Sequence, residues 1–234
     1  MAEKVVIVTG AARGIGKATA IELLEAGFFT VLCSRNIQTM ASLETEISSF
    51  AGNFMISSVD ISVEEEVREF ISSVAEKKGR IDVLINNAGV VHTGPVEKTS
   101  AEQWDEMMSV NAKGAFLMVK HSLPFMPRGG HIVNIGSNAS KKGFPGWAAY
   151  CASKFAVLGF TNSLREEVRD RGIKVSAVLP GPTKTDIWDS LPGEWDRAKM
   201  MSPEITAKTV LSVINQPLEA NIDEIDIVPS TGNL

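Results

Sequence analysis

The stretch Val5-Val6-Ile7-Val8-Thr9-Gly10-Ala11-Ala12-Arg13-Gly14-Ile15-Gly16 joins a β-branched apolar run to a turn rich in glycine. Apolar residues then recur at helical spacing, at Ile15, Ala18 and Leu23, until Gly27 stops the pattern. A strand, a glycine turn and a helix in direct succession open a βαβ unit. Gly10 permits a tight turn. Gly14 and Gly16 remove side chains where backbone must approach a ligand and where helix packs on strand. The helix N-terminus adds free N–H groups and a positive dipole end, which suits a pyrophosphate. The spacing is G-x-x-x-G-x-G. In this setting it predicts a dinucleotide site at Gly10, Arg13, Gly14, Ile15 and Gly16.

The same alternation runs outward along the chain. Apolar runs at 29–33, 54–59, 83–85, 132–135, 174–179 and 225–228 read as further strands. Helical patterns lie between them at 40–50, from a capping box at Ser62-Val63-Glu64-Glu65 to about 78, at about 101–125 and 148–171, and from Ser202-Pro203 to about 215. Seven strands and at least six helices in alternation, with runs apolar on both faces, give an α/β fold. The expected architecture is one domain over 1–234: a Rossmann-like, doubly wound, seven-stranded parallel sheet with helices on both faces. One irregular stretch remains, at 180–201. A connection of that length is usually functional, and about 183–201 is expected to cover a substrate.

Composition excludes several classes. Lys and Arg number 23 against 28 Asp and Glu, a net charge of −5, so neither nucleic acid nor a membrane is an expected partner. Cys33 and Cys151 form no CxxC pair and no zinc spacing, so no metal and a reducing compartment are expected. No apolar run suits a signal peptide or a membrane span, which points to the cytoplasm.

The second strand decides the nucleotide. An NAD site of this topology usually has an acidic residue at its end to bind the ribose hydroxyls. Here the segment reads Leu32-Cys33-Ser34-Arg35-Asn36, with no carboxylate. Arg35, and Arg13 in the glycine turn, would pair with a 2′-phosphate, so NADP(H) is favoured over NAD(H). Asp60 follows strand three, and Asn86-Asn87-Ala88-Gly89 follows strand four. Both lie where open α/β sheets bind ligands.

Tyr150-Cys151-Ala152-Ser153-Lys154 begins a helix and puts tyrosine and lysine on one face. Ser137 stands thirteen residues earlier, at the end of strand five. A neighbouring ammonium stabilises a phenolate, so Lys154 is expected to lower the pKa of Tyr150 from about 10. A serine hydroxyl can share the hydrogen bonding of a substrate oxygen. The group describes proton transfer at a carbonyl or alcohol oxygen beside a hydride carrier.

With these residues the chain resembles the short-chain dehydrogenases/reductases of the short, single-domain branch, over nearly its whole length. The matching motifs are Thr9-Gly10-x3-Gly14-Ile15-Gly16, Asp60, Asn86-Asn87-Ala88-Gly89, Asn111, Ser137, Tyr150-x3-Lys154 and Pro180-Gly181-x3-Thr185. The resemblance implies Tyr150 as general acid in reduction and base in oxidation. It implies Ser137 as the residue polarising the substrate oxygen, and Lys154 on the nicotinamide ribose. Asn111 would hold a helix irregularity and a water near Lys154. Asp60 and Ile61 would meet adenine; Ser34 and Arg35 would lie beside the adenosine ribose. Pro180, Gly181, Thr183 and Thr185 would contact the nicotinamide end. Thr183 stands where a branched aliphatic is commoner. The family also implies a homodimer or homotetramer through the two long helices, whose residues Phe116, Val119, Phe155, Leu158 and Phe160 suit an interface or the core.

The substrate is less legible. Phe144, Trp147, Ile187, Trp188, Leu191, Trp195, Met200 and Met201 suggest an apolar, aromatic pocket. A hydrophobic ketone, an aromatic carbonyl or a 3-oxoacyl thioester would suit it. The last follows from resemblance to 3-oxoacyl-[acyl-carrier-protein] reductases, although Ile227-Val228-Pro229-Ser230-Thr231-Gly232 lacks their paired-glycine ending. An acidic carrier would need a basic dock, for which Lys141, Lys142 and Arg128 are the candidates. His92 reads as an exposed loop residue and Cys151 as packing. The alternatives are a catalytically idle dinucleotide-binding sensor or regulator on the same fold, and a lyase, epimerase or dehydratase using the nucleotide transiently.

Overall fold

The computed structural model describes residues 3–232. Its seven strands are β1 (Val5–Thr9), β2 (Phe29–Ser34), β3 (Phe54–Ser58), β4 (Val83–Asn86), β5 (His131–Ile135), β6 (Lys174–Pro180) and β7 (Glu224–Ile227). All pair in parallel, in the order β3-β2-β1-β4-β5-β6-β7. The helices are α1 (Gly14–Glu25), α2 (Ala41–Glu46), α3 (Glu64–Lys78), α4 (Ala101–Met107), α5 (Gly114–Ser122), α6 (Ala148–Val168) and α7 (Pro203–Ile214).

The continuous apolar runs of the strands serve two cores. In β1, Val5 and Ile7 face α3, α5 and α6, while Val6 and Val8 face α1, α2 and α7. Side chains of a strand alternate between faces, so a strand covered on both sides must be apolar at every position. The expected doubly wound sheet is therefore what these residues build.

Three local expectations are corrected. Ser62 does not cap α3: its hydroxyl donates to Asp60 Oδ1 at 2.6 Å, and Val63 occupies the cap position. Asp60 Oδ1 also accepts from Ser62 N at 2.9 Å, so an Asx turn holds Ser62 one residue ahead of the cap position. The helix expected over 40–50 is α only over Ala41–Glu46, flanked by tighter 3-10 turns at Ile37–Met40 and Ser48–Phe50. The helix expected over 101–125 is interrupted by a π-helical turn at Met108–Lys113, which is the irregularity the resemblance implied at Asn111. The segment after β6 is not open either. Thr183 bridges Met201, Lys184 N donates to Met201 O at 2.8 Å, and Met201 N donates to Pro182 O at 3.0 Å. This clasp closes 183–201 into a compact loop with its ends together.

Candidate active site

A cleft of about 650 Å³ runs along the carboxyl ends of the strands. It straddles β1 and β4, where the winding of the sheet reverses, the place where open α/β sheets take ligands. Its walls are the turn after β1 (Gly10, Arg13, Gly14, Ile15), the end of β2 (Ser34, Arg35) and the loop after β4 (Asn87, Ala88, Gly89). Ser137, Tyr150 and Lys154 line it, as do Pro180, Gly181, Thr183 and Thr185. Asp60 and Ile61 line a small adjoining depression, together with Val59 and Val110.

The glycine turn is held by contacts that tolerate nothing larger. Gly10 has φ +66°, and a Cβ there would sit 2.7 Å from Ala88 Cα. A Cβ on Gly16 would collide with the Gly10 carbonyl oxygen and the Asn87 amide. That amide donates to Thr9 O at 2.9 Å and to Gly10 O at 3.2 Å. Thr9 Oγ1 in turn accepts from Asn87 N and Ala88 N, both at 3.0 Å. Thr9, whose place in the motif carried no expected role, thus ties the two loops together. No side chain caps α1, so its first N–H groups stay available to an anion. The close-packed glycines and the open helix end fit a dinucleotide pyrophosphate.

Besides Asp60 and Ile61 in the adjoining depression, three expected site residues lie outside the cleft. Gly16 is a packing position, as above. Asn86 is buried; its Nδ2 donates to Asn134 Oδ1 at 2.9 Å, and Asn134 Nδ2 donates to Thr161 Oγ1 at 2.8 Å. It ends β4 and points into the helix layer, while Asn87 turns the other way. Asn111 sits in the π turn. Its Oδ1 accepts from Val90 N at 2.8 Å, and its Nδ2 donates to Val90 O and to Ser153 Oγ, both at 2.9 Å. Ser153 Oγ then donates to Tyr150 O at 2.8 Å. Asn111 and Ser153 therefore join the loop after β4 to the helix that carries Tyr150 and Lys154. Ser153, inside the Tyr150-x3-Lys154 motif, is a second residue that reading the motif overlooked.

The electrostatics of the pair differ from expectation. Burial pushes the Tyr150 phenol up to about 12, with a hydrogen bond to Ser137 acting the other way. Burial lowers Lys154 to about 8. Lys154 Nζ donates to Ile135 O at 2.9 Å and stands 5.9 Å from the Tyr150 ring centre. The ammonium is engaged by a backbone carbonyl rather than by the phenol, so desolvation decides the tyrosine's state and keeps it protonated. Ser137 Oγ accepts from Ala139 N at 3.1 Å, which fixes the hydroxyl at the head of a 3-10 turn.

At the adenosine end, Arg35 does line the cleft, but a carboxylate is present after all. Glu106 Oε1 lies 3.8 Å from Arg35 Nη1, and Glu106 Oε2 lies 2.7 Å from His92 Nε2. Glu106 comes from α4, so no reading of β2 could find it. His92 is partly buried against it rather than exposed. At the other end, Phe144, Trp147, Ile187, Trp188, Leu191 and Trp195 form an apolar wall. Met200 and Met201 are buried, at the base of the clasped loop. Cys151 is buried, as packing requires. Among the described residues no cluster of three or more His, Cys, Asp or Glu could hold a metal, and no helix is long and apolar enough to cross a membrane.

Comparison with known proteins gives concordant results. The chain is 35% identical over 227 residues to a 3-oxoacyl-[acyl-carrier-protein] reductase of Synechocystis sp., covering 94% of this chain and 92% of that one. It is 33% identical over 236 residues to a glycine betaine reductase of Emericella nidulans, covering 97% of this chain but 19% of that longer protein. An alcohol dehydrogenase from Thermococcus sibiricus, complexed with 5-hydroxy-NADP, superposes with a TM-score of 0.91 at 26% identity over 99% of both chains. Residues 4–194 match the family model described as short chain dehydrogenase, so the chain belongs to that family of oxidoreductases.

Proposed function

We propose that this chain is an NADP(H)-dependent oxidoreductase that interconverts an apolar carbonyl compound and its secondary alcohol, with Tyr150 as general acid and base. The observation that carries this reading is the single cleft that Tyr150, Ser137 and Lys154 share with the glycine turn, Arg35 and the apolar wall. When bound, the nicotinamide nucleotide supplies the hydride that reduces the carbonyl carbon, or accepts it in the reverse direction. The first N–H groups of α1 bind the pyrophosphate, and Asp60 and Ile61 flank the adenine. Arg35 and Arg13 pair with the 2′-phosphate; the complex of the Thermococcus sibiricus relative with 5-hydroxy-NADP supports that choice over NAD(H). Lys154 donates to the ribose hydroxyls.

Ser137 donates a hydrogen bond to the carbonyl oxygen, and Tyr150 delivers its proton there. A phenol near 12 is protonated at neutral pH, so the free protein stands ready for reduction. Oxidation needs the phenolate and is favoured by rising pH.

The relatives' names diverge on the substrate. A carrier-bound thioester stands second here because, of the three candidates for its dock, only Lys142 stands near the cleft without a carboxylate beside it, its Nζ 5.6 Å from the Phe144 ring centre. Lys141 is paired with Glu224 at 2.9 Å and Asp226 at 2.7 Å. Arg128 packs against Gly172, at the amino ends of the strands and away from the cleft. The proposal extends to a homodimer or homotetramer. Phe116 and Phe155, 45% and 47% exposed on α5 and α6, support a second copy as their cover, whereas Val119 belongs to the core. Light scattering on the eluting protein reads the assembly.

Tyr150→Phe tests the mechanism. NADPH binding should persist while carbonyl reduction falls by about 10²–10⁴-fold. Unchanged turnover refutes the role of Tyr150. NADPH binding with no reduction of any carbonyl by the wild type would instead favour the idle sensor.

A further inference from the structure

The substrate end of the cleft draws three tryptophans from two separate segments. Trp147 stands at the N-terminus of α6, and Trp188 and Trp195 belong to the clasped loop. Ring centres lie 6.0 Å apart for Trp147–Trp188, 6.0 Å for Trp147–Trp195 and 4.9 Å for Trp188–Trp195, every pair strongly tilted. Trp147 also stands edge to face with Tyr150, at 5.6 Å and 71°. Trp188 is pinned, since its indole N–H donates to Thr183 O at 2.8 Å. The Trp195 indole N–H has no partner among the described residues, so ring contacts hold that side chain in place.

Charge narrows the ligand further. The charged side chains lining the cleft are Arg13, Arg35, Lys154 and Asp186. The arginines belong to the coenzyme end, and Lys154 is engaged by Ile135 O. Among the described residues that line the cleft, no cation is left beside the tryptophans to pair with a carboxylate or phosphate on a substrate. Lys142 lies outside that lining, its Nζ 5.6 Å from the Phe144 ring centre. An unpaired buried anion is strongly disfavoured.

Building on the carbonyl-reductase reading, we propose that the site selects uncharged aryl ketones, with the aromatic ring beside the carbonyl, over saturated ketones of equal size. An oxygen held by Tyr150 leaves the adjoining group against Trp147, one ring contact away. An aromatic ring there gains edge-to-face contacts, each a factor of about two to ten beyond the area buried. A saturated ring of the same carbon count buries similar area without that gain. An acyl chain gains only the area.

Acetophenone and cyclohexyl methyl ketone form the matched pair. NADPH consumption gives kcat/KM for each, and quenching of tryptophan fluorescence gives their binding to the NADP⁺-loaded protein. Acetophenone should be preferred about ten-fold or more in both measurements. The ratio should fall toward one in Trp195→Leu and Trp188→Leu, with Trp195→Phe restoring most of it and NADPH affinity unchanged throughout. Phenylglyoxylate, the anionic analogue, should be reduced at least about ten-fold less efficiently than acetophenone. Equal efficiency for the matched pair, or a preference that survives both leucine variants, overturns this inference and leaves the reductase reading intact. Selective binding of acetophenone without NADPH consumption would keep the pocket assignment and overturn the reductase reading.

Discussion

The two ends of the cleft lie along the carboxyl ends of one set of strands, yet different forces hold them. At the coenzyme end, short polar bonds and glycine contacts lock two loops together. Thr9 alone ties β1 to two backbone N–H groups of the loop after β4. At the substrate end, large rings from separate segments lean on one another, and a clasp at Thr183 and Met201 closes the loop beneath them. The first arrangement makes binding and stability the same property. The second lets specificity change while the fold stays as it is, which fits a family whose relatives bear names for dissimilar substrates.

That contrast can be broken by substitution. The largest effect is expected from Gly16→Val, whose side chain would run into backbone at Gly10 and the Asn87 amide. It should cost about 3 kcal/mol and abolish NADPH binding together. Thermal unfolding and a fluorescence titration read both, and wild-type values in either would separate what the comparison joins. Thr9→Val keeps the shape but strands the N–H groups of Asn87 and Ala88. A loss of about 2 kcal/mol with weaker NADPH binding is expected in the same two assays.

Lys154 sits where the ends meet, and pH tests it. Its pKa is near 8 in the folded chain against 10.5 for the free side chain. Between those values the unfolded chain binds more protons, so this group's contribution to stability rises with pH, by at most about 1.4 kcal/mol per unit. Urea unfolding from pH 7.5 to 10.5 should show that slope in the wild type and not in Lys154→Met. Equal slopes would mean the ammonium is not desolvated. NADPH affinity should fall over the same range as the ammonium is lost.

The smallest effect belongs to Glu106→Gln. Arg35 and Glu106 are 65% and 38% exposed at 3.8 Å, and a pair of that kind is worth less than about 1 kcal/mol. Freeing Arg35 should tighten NADPH a few-fold and leave NADH unchanged. An equal change for both nucleotides would remove Glu106 from the coenzyme end.

Much of this was legible beforehand, for reasons that particular residues make plain. Val5 to Val8 announces a strand covered on both faces, and Gly10 to Gly16 announces the turn that follows. Ser202-Pro203 starts α7 as expected, because a proline's fixed φ acts locally. Expectations failed where a residue's partner lay outside its own element. Ser62 found Asp60 instead of a helix N–H. Asn86 found Asn134, forty-eight residues away, and left the cleft to Asn87. Glu106 reached Arg35 across seventy-one residues. Asn111 belonged to the motif, and the resemblance implied the helix irregularity around it, but its bonds to Val90 and Ser153 could be seen only once α4, the loop after β4 and α6 had come together.

Tyr150 draws the line most clearly. The spacing of Ser137, Tyr150 and Lys154 specified which side chains share a helix face and a strand end, because i and i+4 neighbours follow from helix geometry alone. The positions of the strands along the chain and the glycine turn followed for the same reason: periodicity and backbone preference act over a few residues. Whether Lys154 would aim at the phenol or at a carbonyl, and whether the phenol would be activated or held as an acid, depended on how much water the assembled cleft excludes. Desolvation is set by every neighbour at once, and no local pattern encodes it. The same holds for the tryptophans. Their presence could be counted from the chain, but their convergence required the loop after β6 to fold back onto Trp147 at the head of α6.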